Sequence, residues 1–200
     1  MLDTIREPKQ QRAIEKKDKI IEAGFNLICK NGYHNTNTAE IAKVAGVSTG
    51  IVYQYFKDKN DILLEGLYKF GDNIFFPILT LDLSNYDIKN FDNDLTNLIT
   101  SQIKNHKLSQ SAHEEITAMI HTDRNVAKYF YDKEFEVTEK IKGLLVKNGY
   151  EDEQLLEKVH IIIGIIDNLC HEIIYHKHKN INYDDMTNIT IDIIKNLFKK

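Results

Sequence analysis

Apolar residues recur at spacings of three and four along almost the whole chain, and this pattern restricts the fold more than any other feature. Most segments longer than ten residues show this spacing. The 200 residues contain only two prolines, Pro8 and Pro77, that could interrupt a helix. Such spacing puts apolar side chains on one face of an α-helix, whereas a strand requires alternation. The sequence therefore predicts an all-α protein of about nine helices.

Three helices are predicted at the start of the chain, and the second and third are short. The first covers residues 11–31 and ends at Gly32, which can adopt the positive φ of a helix end. A second begins after Asn37, because Glu40 follows it at the spacing of a capping box, and it ends at Gly46. Only two residues then precede a third helix, so the spacing predicts a helix-turn-helix.

A connector helix is expected from about residue 59, with Asp58 or Asn60 as its cap and Pro77 or the polar segment 83–90 as its interruption. Further helical patterns follow over residues 91–106, 110–121, 125–148, 152–178 and 184–199. We therefore expect a head over residues 1–58 and a helical body over residues 59–200.

Charge is divided unevenly between these two parts. The whole chain has a net charge of −4, but residues 1–60 contain ten Lys and Arg against seven Asp and Glu. The other residues contain 16 basic against 23 acidic side chains. A basic head on an acidic body is typical of a protein whose head meets an anionic partner.

The stretch "STGIVYQYFKDK", residues 48–59, offers many hydrogen-bond donors to such a partner. On a helix over 49–56, Val52 and Phe56 would face inward. The outer or flanking positions would then hold Thr49, Tyr53, Gln54 and Tyr55. At least half of protein–DNA hydrogen bonds go to phosphate and sugar, often from hydroxyl groups and helix N-termini. Gly50 would let the backbone approach a duplex, and the Gln54 amide could pair with adenine.

Residues 17–67 resemble the DNA-binding head of the TetR family of bacterial repressors. The resemblance rests on the glycine that closes the first helix, the Ile-Ala pair, the "GVS" turn, the "VYQYF" block and "KDK", all in the family's order and spacing. It implies a homodimer that binds a pseudo-palindromic DNA operator, with a small-molecule effector in the body. A ligand would swing the connector helix and change the separation of the two heads.

The resemblance also implies a role for each matching residue. Thr38, Tyr53 and Lys59 would contact phosphates, and Gly50 would lie close to the DNA backbone. Ser48 and Thr49 would lie at the turn and at the start of the recognition helix. Gln54 and Tyr55 would contact the groove or its wall. Each residue also has an ordinary interpretation. Tyr53 and Tyr55 could be half-buried aromatic side chains, Lys59 a solvated lysine, and Thr38 and Ser48 only helix caps.

A dimer interface is predicted on the last two long helices, because the first of them has two adjacent apolar stripes where a monomer core needs one. The predicted interface residues are Leu155, Val159, Ile162, Ile166, Leu169, Ile173, Ile189, Ile193 and Leu197. The alternative is a helix buried wholly within its own domain.

The body carries no pattern that identifies its signal. Aromatic residues are only mildly enriched over residues 68–135, which fits a ligand cavity or an ordinary core. A small-molecule inducer that releases the DNA is expected from the resemblance, and the effector remains unidentified. The alternative is a DNA-binding protein regulated by a protein partner docked on the body.

Catalytic and metal sites are not indicated. His106, His113 and His121 recur at spacings of seven and eight, without the i, i+4 pairing of a zinc helix, and no glycine-rich phosphate loop occurs. Cys29 and Cys170 lie in apolar helical patterns, which favours buried thiols. We therefore expect no cofactor, no metal and no enzyme activity.

The start of the chain lacks the apolar run of a signal peptide, and the longest apolar run, "HIIIGII", is far shorter than a membrane span. A cytoplasmic location without membrane contact is the expectation that follows.

Overall fold

The computed structural model describes residues 10–88, 91–108, 110–150 and 153–198; for residue 92 and residues 105–108 and 110–112 only the backbone is described. These ranges contain helices and no β-strand. The α-helices are α1 (Gln11–Asn31), α2 (Thr38–Ala45), α3 (Thr49–Tyr55), α4 (Lys59–Gly66), α5 (Asp72–Phe75), α6 (Phe91–Leu108), α7 (Gln110–Ala118), α8 (Arg124–Lys147), α9 (Leu155–Ile174) and α10 (Tyr183–Leu197).

The all-α prediction is confirmed. A π-helical segment, Leu67–Gly71, joins α4 to α5 without a break, so these pieces form one connector helix. When the connector is counted once, the described ranges hold nine α-helices. Pro77 begins a short 3-10 turn, Pro77–Thr80, after the connector ends. Positions 152 and 199, where two predicted helices begin or end, lie outside the described residues.

Two compact units make up the chain. The first contains residues up to Ile74 together with Ser111–Tyr131, and the second contains Phe75–Gln110 together with Asp132–Lys200. The chain passes between the two units after residues 74, 110 and 131, and none of these points coincides with the predicted division at residue 58. That division concerns function and remains a prediction.

The core of the first unit is formed by α1 to α4. Its buried apolar residues are Ile20, Ile21, Ala23, Ile41, Ala42, Val52, Tyr55, Phe56 and Ile62. Ile14 lies seven residues, or about two turns, before Ile21 and so on the same face of α1, but it is 37% exposed, so the buried face begins at Ile20. Burial of this apolar surface stabilises the four helices as one body.

Local signals set the ends of these helices as predicted. Gly32 and Gly46 both have positive φ, 90° and 70°. The Asn37 side chain accepts a hydrogen bond of 2.9 Å from the Glu40 backbone N–H, and Asp58 caps α4 by accepting from the N–H groups of Asn60 and Asp61. Each cap satisfies backbone donors that lack a partner within the helix.

In the second unit, α9 packs against α6 and α10. The prediction that one stripe of α9 faces a partner chain is wrong for five side chains, because they lie in the core of their own unit with at most 8% exposure. They are Leu155, Val159, Ile162, Ile166 and Leu169. Ile173 and Leu197 are partly buried against the same core.

Large apolar side chains remain exposed on the other faces of α9 and α10. Ile161 of α9 is 54% exposed, and Ile189 and Ile193 of α10 are 59% and 45% exposed. Ile189 and Ile193 belong to the predicted interface, whereas Ile161 lies outside both stripes that the sequence pattern indicated.

No helix among the described residues is both long and apolar enough to cross a membrane. Cys29 and Cys170 are thiols. Burial raises the pKa of Cys29 to about 11 and that of Cys170 to about 12, so both are protonated at neutral pH.

Candidate nucleic-acid interface

A tight turn over residues 46–48 joins α2 to α3. The Gly46 N–H donates to the carbonyl groups of Ala42 and Lys43, and the Val47 N–H donates to the Ala42 carbonyl at 3.0 Å. The left-handed backbone at Gly46 lets the chain reverse within these residues. The predicted helix-turn-helix is therefore present.

Two predicted phosphate contacts lie side by side across this motif. The Tyr53 hydroxyl of α3 is 2.9 Å from the Thr38 hydroxyl at the start of α2. Tyr53 is 52% exposed. One of the two O–H groups is used in their mutual hydrogen bond, which leaves the other O–H proton available to an external acceptor. The pair therefore forms an exposed donor at the first turn of α2.

The start of α3 is open to solvent. Ser48, the N-cap residue, is exposed and its side chain makes no capping hydrogen bond. Thr49 and Gly50 begin the helix, where backbone N–H groups have no intrahelical partner. A Cβ atom at Gly50 would meet only the Ser48 hydroxyl oxygen, at 3.9 Å. Among the residues that the structure describes, none therefore requires glycine at position 50.

Gln54 is exposed on α3, whereas Tyr55 is not. Tyr55 is only 8% exposed and belongs to the core of the first unit, so the expectation that it faces outward is wrong. The reason is the helical register, because Tyr55 lies three residues after buried Val52 and shares its face. The side chain of Tyr55 therefore packs α3 against the core of the first unit.

Lys59 is held by the loop between α1 and α2. Its ammonium group donates to the backbone carbonyls of Tyr33 and Thr36, at 2.5 and 2.9 Å, and lies 4.2 Å from the centre of the Tyr33 ring. An ammonium group has three donors, so one is left for a phosphate. Lys59 thus stabilises the loop that leads into α2, a role that the sequence pattern does not predict.

Two acidic residues far along the chain also hold this unit together. Glu115 of α7 accepts a hydrogen bond of 3.0 Å from the His34 backbone N–H. Asp123 accepts from the Asn60 side chain at 2.8 Å and caps α8 by accepting from the N–H groups of Asn125 and Val126. The Val126 bond is the largest cause of a lowered pKa at Asp123, and the Asn60 bond adds to it.

The structure therefore brings Thr38 and Tyr53 together, exposes Ser48, Gly50 and Gln54 nearby, and directs Lys59 to the preceding loop. Thr49 is partly exposed at the same helix start. Contact of these residues with DNA remains a prediction.

No group of three or more His, Cys, Asp or Glu side chains that could hold a metal ion occurs in the part of the chain that the structure describes. The side chain of His106 lies outside that part.

Residues 20–65 match the family model described as bacterial regulatory proteins, tetR family. Among curated proteins, the Fatty acid metabolism regulator protein of Bacillus subtilis is 48% identical to this chain over 56 residues, which are 28% of this chain and 28% of that protein. The match with this relative thus covers far less than two thirds of its length.

Solved structures resemble the chain over nearly all its length. A TetR-family transcriptional regulator from Mesorhizobium loti has a TM-score of 0.73 at 17% identity, covering 96% of this chain and all of that one. A transcriptional regulator from Saccharomonospora viridis in complex with choline has a TM-score of 0.66 at 20% identity, covering 91% of this chain and 96% of that one. At these identities the similarity concerns the fold.

Proposed function

Since the chain belongs to the TetR family of bacterial regulatory proteins, we propose that it is a repressor that binds a pseudo-palindromic operator as a homodimer, one head over each half-site. The resemblance found in residues 17–67 is confirmed, and so is the expectation of a regulator and not an enzyme, because the relatives are transcriptional regulators. In this proposal residues 1–58 bind DNA, and residues 59–200 bind the effector and form the dimer.

The Thr38–Tyr53 pair carries the proposal. Two neighbouring hydroxyl groups at the N-terminus of α2 supply a donor where the helix dipole also favours an anion. A few residues away, the exposed start of α3 presents Ser48 and the backbone of Gly50. A DNA strand could be bound by both helix starts, and Gln54 would then face base edges in the major groove.

The homodimer would use the exposed faces of α9 and α10. Ile161, Ile189 and Ile193 are large apolar side chains that solvent reaches in the single chain. Burying such side chains against a second copy is favourable, and two helices from each chain give a four-helix interface. On α9, Ile161 would contact the partner chain instead of the predicted residues, because those side chains face the core of their own unit.

A small-molecule inducer that binds the body is the simplest signal for such a repressor, which would act in the cytoplasm. The similar regulator from Saccharomonospora viridis was solved with choline, and this supports a ligand in the body. Half-sites lie about 34–36 Å apart, one helical turn, so an inducer that changes the head separation by several Å would prevent both heads from binding.

Selection from a random duplex library tests the DNA-binding proposal. We expect enrichment of a two-fold symmetric site whose half-sites are centred about one helical turn apart. The enriched duplex should compete far better than a scrambled duplex of equal length. No enrichment, with the protein folded by circular dichroism, would contradict the proposal.

A further inference from the structure

The connector helix contains one residue more than a regular α-helix would hold. The segment Leu67–Gly71 is π-helical and lies between α4 and α5. A π turn closes i→i+5 hydrogen bonds and so contains an extra residue compared with an α turn. Single π turns of this kind are frequent at functional sites, and this one requires a physical cause.

Two glycines lie at the ends of the π segment, and each contacts an aromatic side chain. Gly66 directly precedes the segment, and Gly71 is its last residue. A Cβ atom at Gly66 would come within 2.6–2.8 Å of the Phe25 side chain of α1. At Gly71 a Cβ atom would lie 3.0 Å from the ring carbon that carries the Tyr129 hydroxyl, and closer still to the hydroxyl oxygen. Only glycine allows both approaches without a shift of these side chains.

Tyr129 of α8 is the residue that depends on the π register. It is fully buried, and its hydroxyl donates a hydrogen bond of 3.0 Å to the Asp72 carboxylate, directly after the π segment. Its ring also packs edge-on against Tyr68, with the ring centres 5.2 Å apart. Tyr129 thus contacts the connector within the segment, at its last residue and just beyond it.

An α-helical segment would exclude this arrangement. Without the extra residue in the turn, Phe70 would stand where Gly71 now stands, because every later residue turns forward by about 100°, the angle of one α-helical residue. The Tyr129 hydroxyl leaves no room there for a Cβ atom, and still less for a phenyl ring. Asp72 would turn away as well.

We propose that Leu67–Gly71 is a two-state register element that Tyr129 controls. While Tyr129 lies against Gly71 and bonds to Asp72, the segment is π-helical. When Tyr129 withdraws, the segment becomes α-helical and α5 rotates relative to α4. The idea that an inducer acts through this rotation rests on the proposed function, but the existence of the two states does not.

Deletion of Lys69 tests the register directly. Removing one residue from the π segment yields a plain α-helix that keeps Gly71 and Asp72 facing Tyr129. Lys69 also forms an exposed ion pair with Asp18, which contributes little to stability. We therefore expect the deletion variant to fold and to melt within a few degrees of the parent. The matched control is deletion of Glu22, an exposed residue of the regular helix α1, which shifts the register of a buried face.

We expect the Glu22 deletion to lower the melting temperature by well over ten degrees or to prevent folding. A Lys69 deletion that is equally damaging, or does not fold, would overturn the proposal. A crystal structure of Tyr129→Ala gives a second test: an α-helical Leu67–Gly71 supports the proposal and a persistent π segment overturns it. If that variant does not fold, the pair of deletions decides. Neither test involves DNA, so the outcome is independent of the proposed function.

Discussion

The hydroxyl groups of Thr38 and Tyr53 lie 2.9 Å apart and join the first turn of α2 to the exposed face of α3. A phosphate oxygen placed over this pair would accept a hydrogen bond from one hydroxyl group. The hydrogen bond between the two hydroxyl groups would hold that donor in position. Charged acceptors form the stronger hydrogen bonds in proteins, so this small pair is expected to matter for DNA binding.

Tyr53→Phe should weaken operator binding by about ten- to hundredfold, because a hydrogen bond to a charged group contributes about 1.5–3 kcal/mol. The slope of log K against log salt should stay unchanged, since no cation is removed. Fluorescence anisotropy at several salt concentrations measures both. The control is Tyr131→Phe, which alters a tyrosine that is 59% exposed on α8. Equal affinities of the two variants would contradict the role of Tyr53.

Lys59→Met should lower the stability of the protein by about 1–3 kcal/mol, because two carbonyl groups lose a charged donor while the apolar stem of the side chain is kept. Urea unfolding measures the loss, and exposed Lys179→Met serves as the control. Unchanged stability, together with a salt slope of DNA binding reduced by about one, would instead make Lys59 only a phosphate ligand.

Gly32→Ala should destabilise the head. The backbone there, with φ 90° and ψ 156°, is a conformation that only glycine adopts readily, and forcing another residue into it costs about 1–3 kcal/mol. The new methyl group would also meet the Glu115 carboxylate.

Gly143→Ala in α8 is the matched control, because a Cβ atom there would meet no atom of the described residues within 4 Å. It should raise stability by about 0.5–1 kcal/mol, the usual gain of alanine over glycine inside a helix. Urea unfolding of both variants checks the opposite signs, and a neutral Gly32→Ala would show that the loop before α2 tolerates another backbone conformation.

Asp123→Asn should reveal a pH-dependent contribution to stability. The pKa of Asp123 is lowered in the folded protein, so its carboxylate stabilises the fold above the unfolded pKa, about 3.9, and that stability is lost as pH falls through the folded pKa. Asparagine keeps the helix cap, but its amide nitrogen cannot accept the hydrogen bond that the second carboxylate oxygen accepts from Asn60. The variant therefore loses the charge effect and this bond, together about 1–2 kcal/mol at neutral pH.

The measurement is urea unfolding of the parent and the variant between pH 7 and pH 3. The parent should be more stable at pH 7, and the difference should close in acid. Asp192→Asn, which alters an exposed residue of α10, should show no comparable pH-dependent difference. A gap that persists or grows in acid would contradict the assigned role of Asp123.

Helix ends in the head were predictable from the sequence because their causes are local. Asn37, Gly46 and Asp58 act on backbone groups within a few residues, and each does what its position predicts. The order and spacing of these caps define the helix-turn-helix, and the residues between them carry the match to the tetR family model.

Features that depend on distant partners were not predictable. The contacts of Glu115 with His34 and of Asp123 with Asn60 join residues 81 and 63 positions apart. Periodicity identified an apolar stripe on α9, but periodicity does not tell whether that stripe is covered by its own unit or by another chain. The π segment likewise depends on Tyr129, 58 positions beyond Gly71, and no local pattern indicates it.

The most direct test of the central claim is the salt dependence of binding to the selected operator and to a scrambled duplex, measured by anisotropy with the whole chain. We expect tight binding to the operator that weakens steeply with salt, by about 0.9 in log K per unit of log salt for each phosphate neutralised, and much weaker binding to the scrambled duplex. Equal binding to both duplexes, or no binding by the folded protein, would contradict the assignment of residues 1–58 as a sequence-specific DNA-binding head.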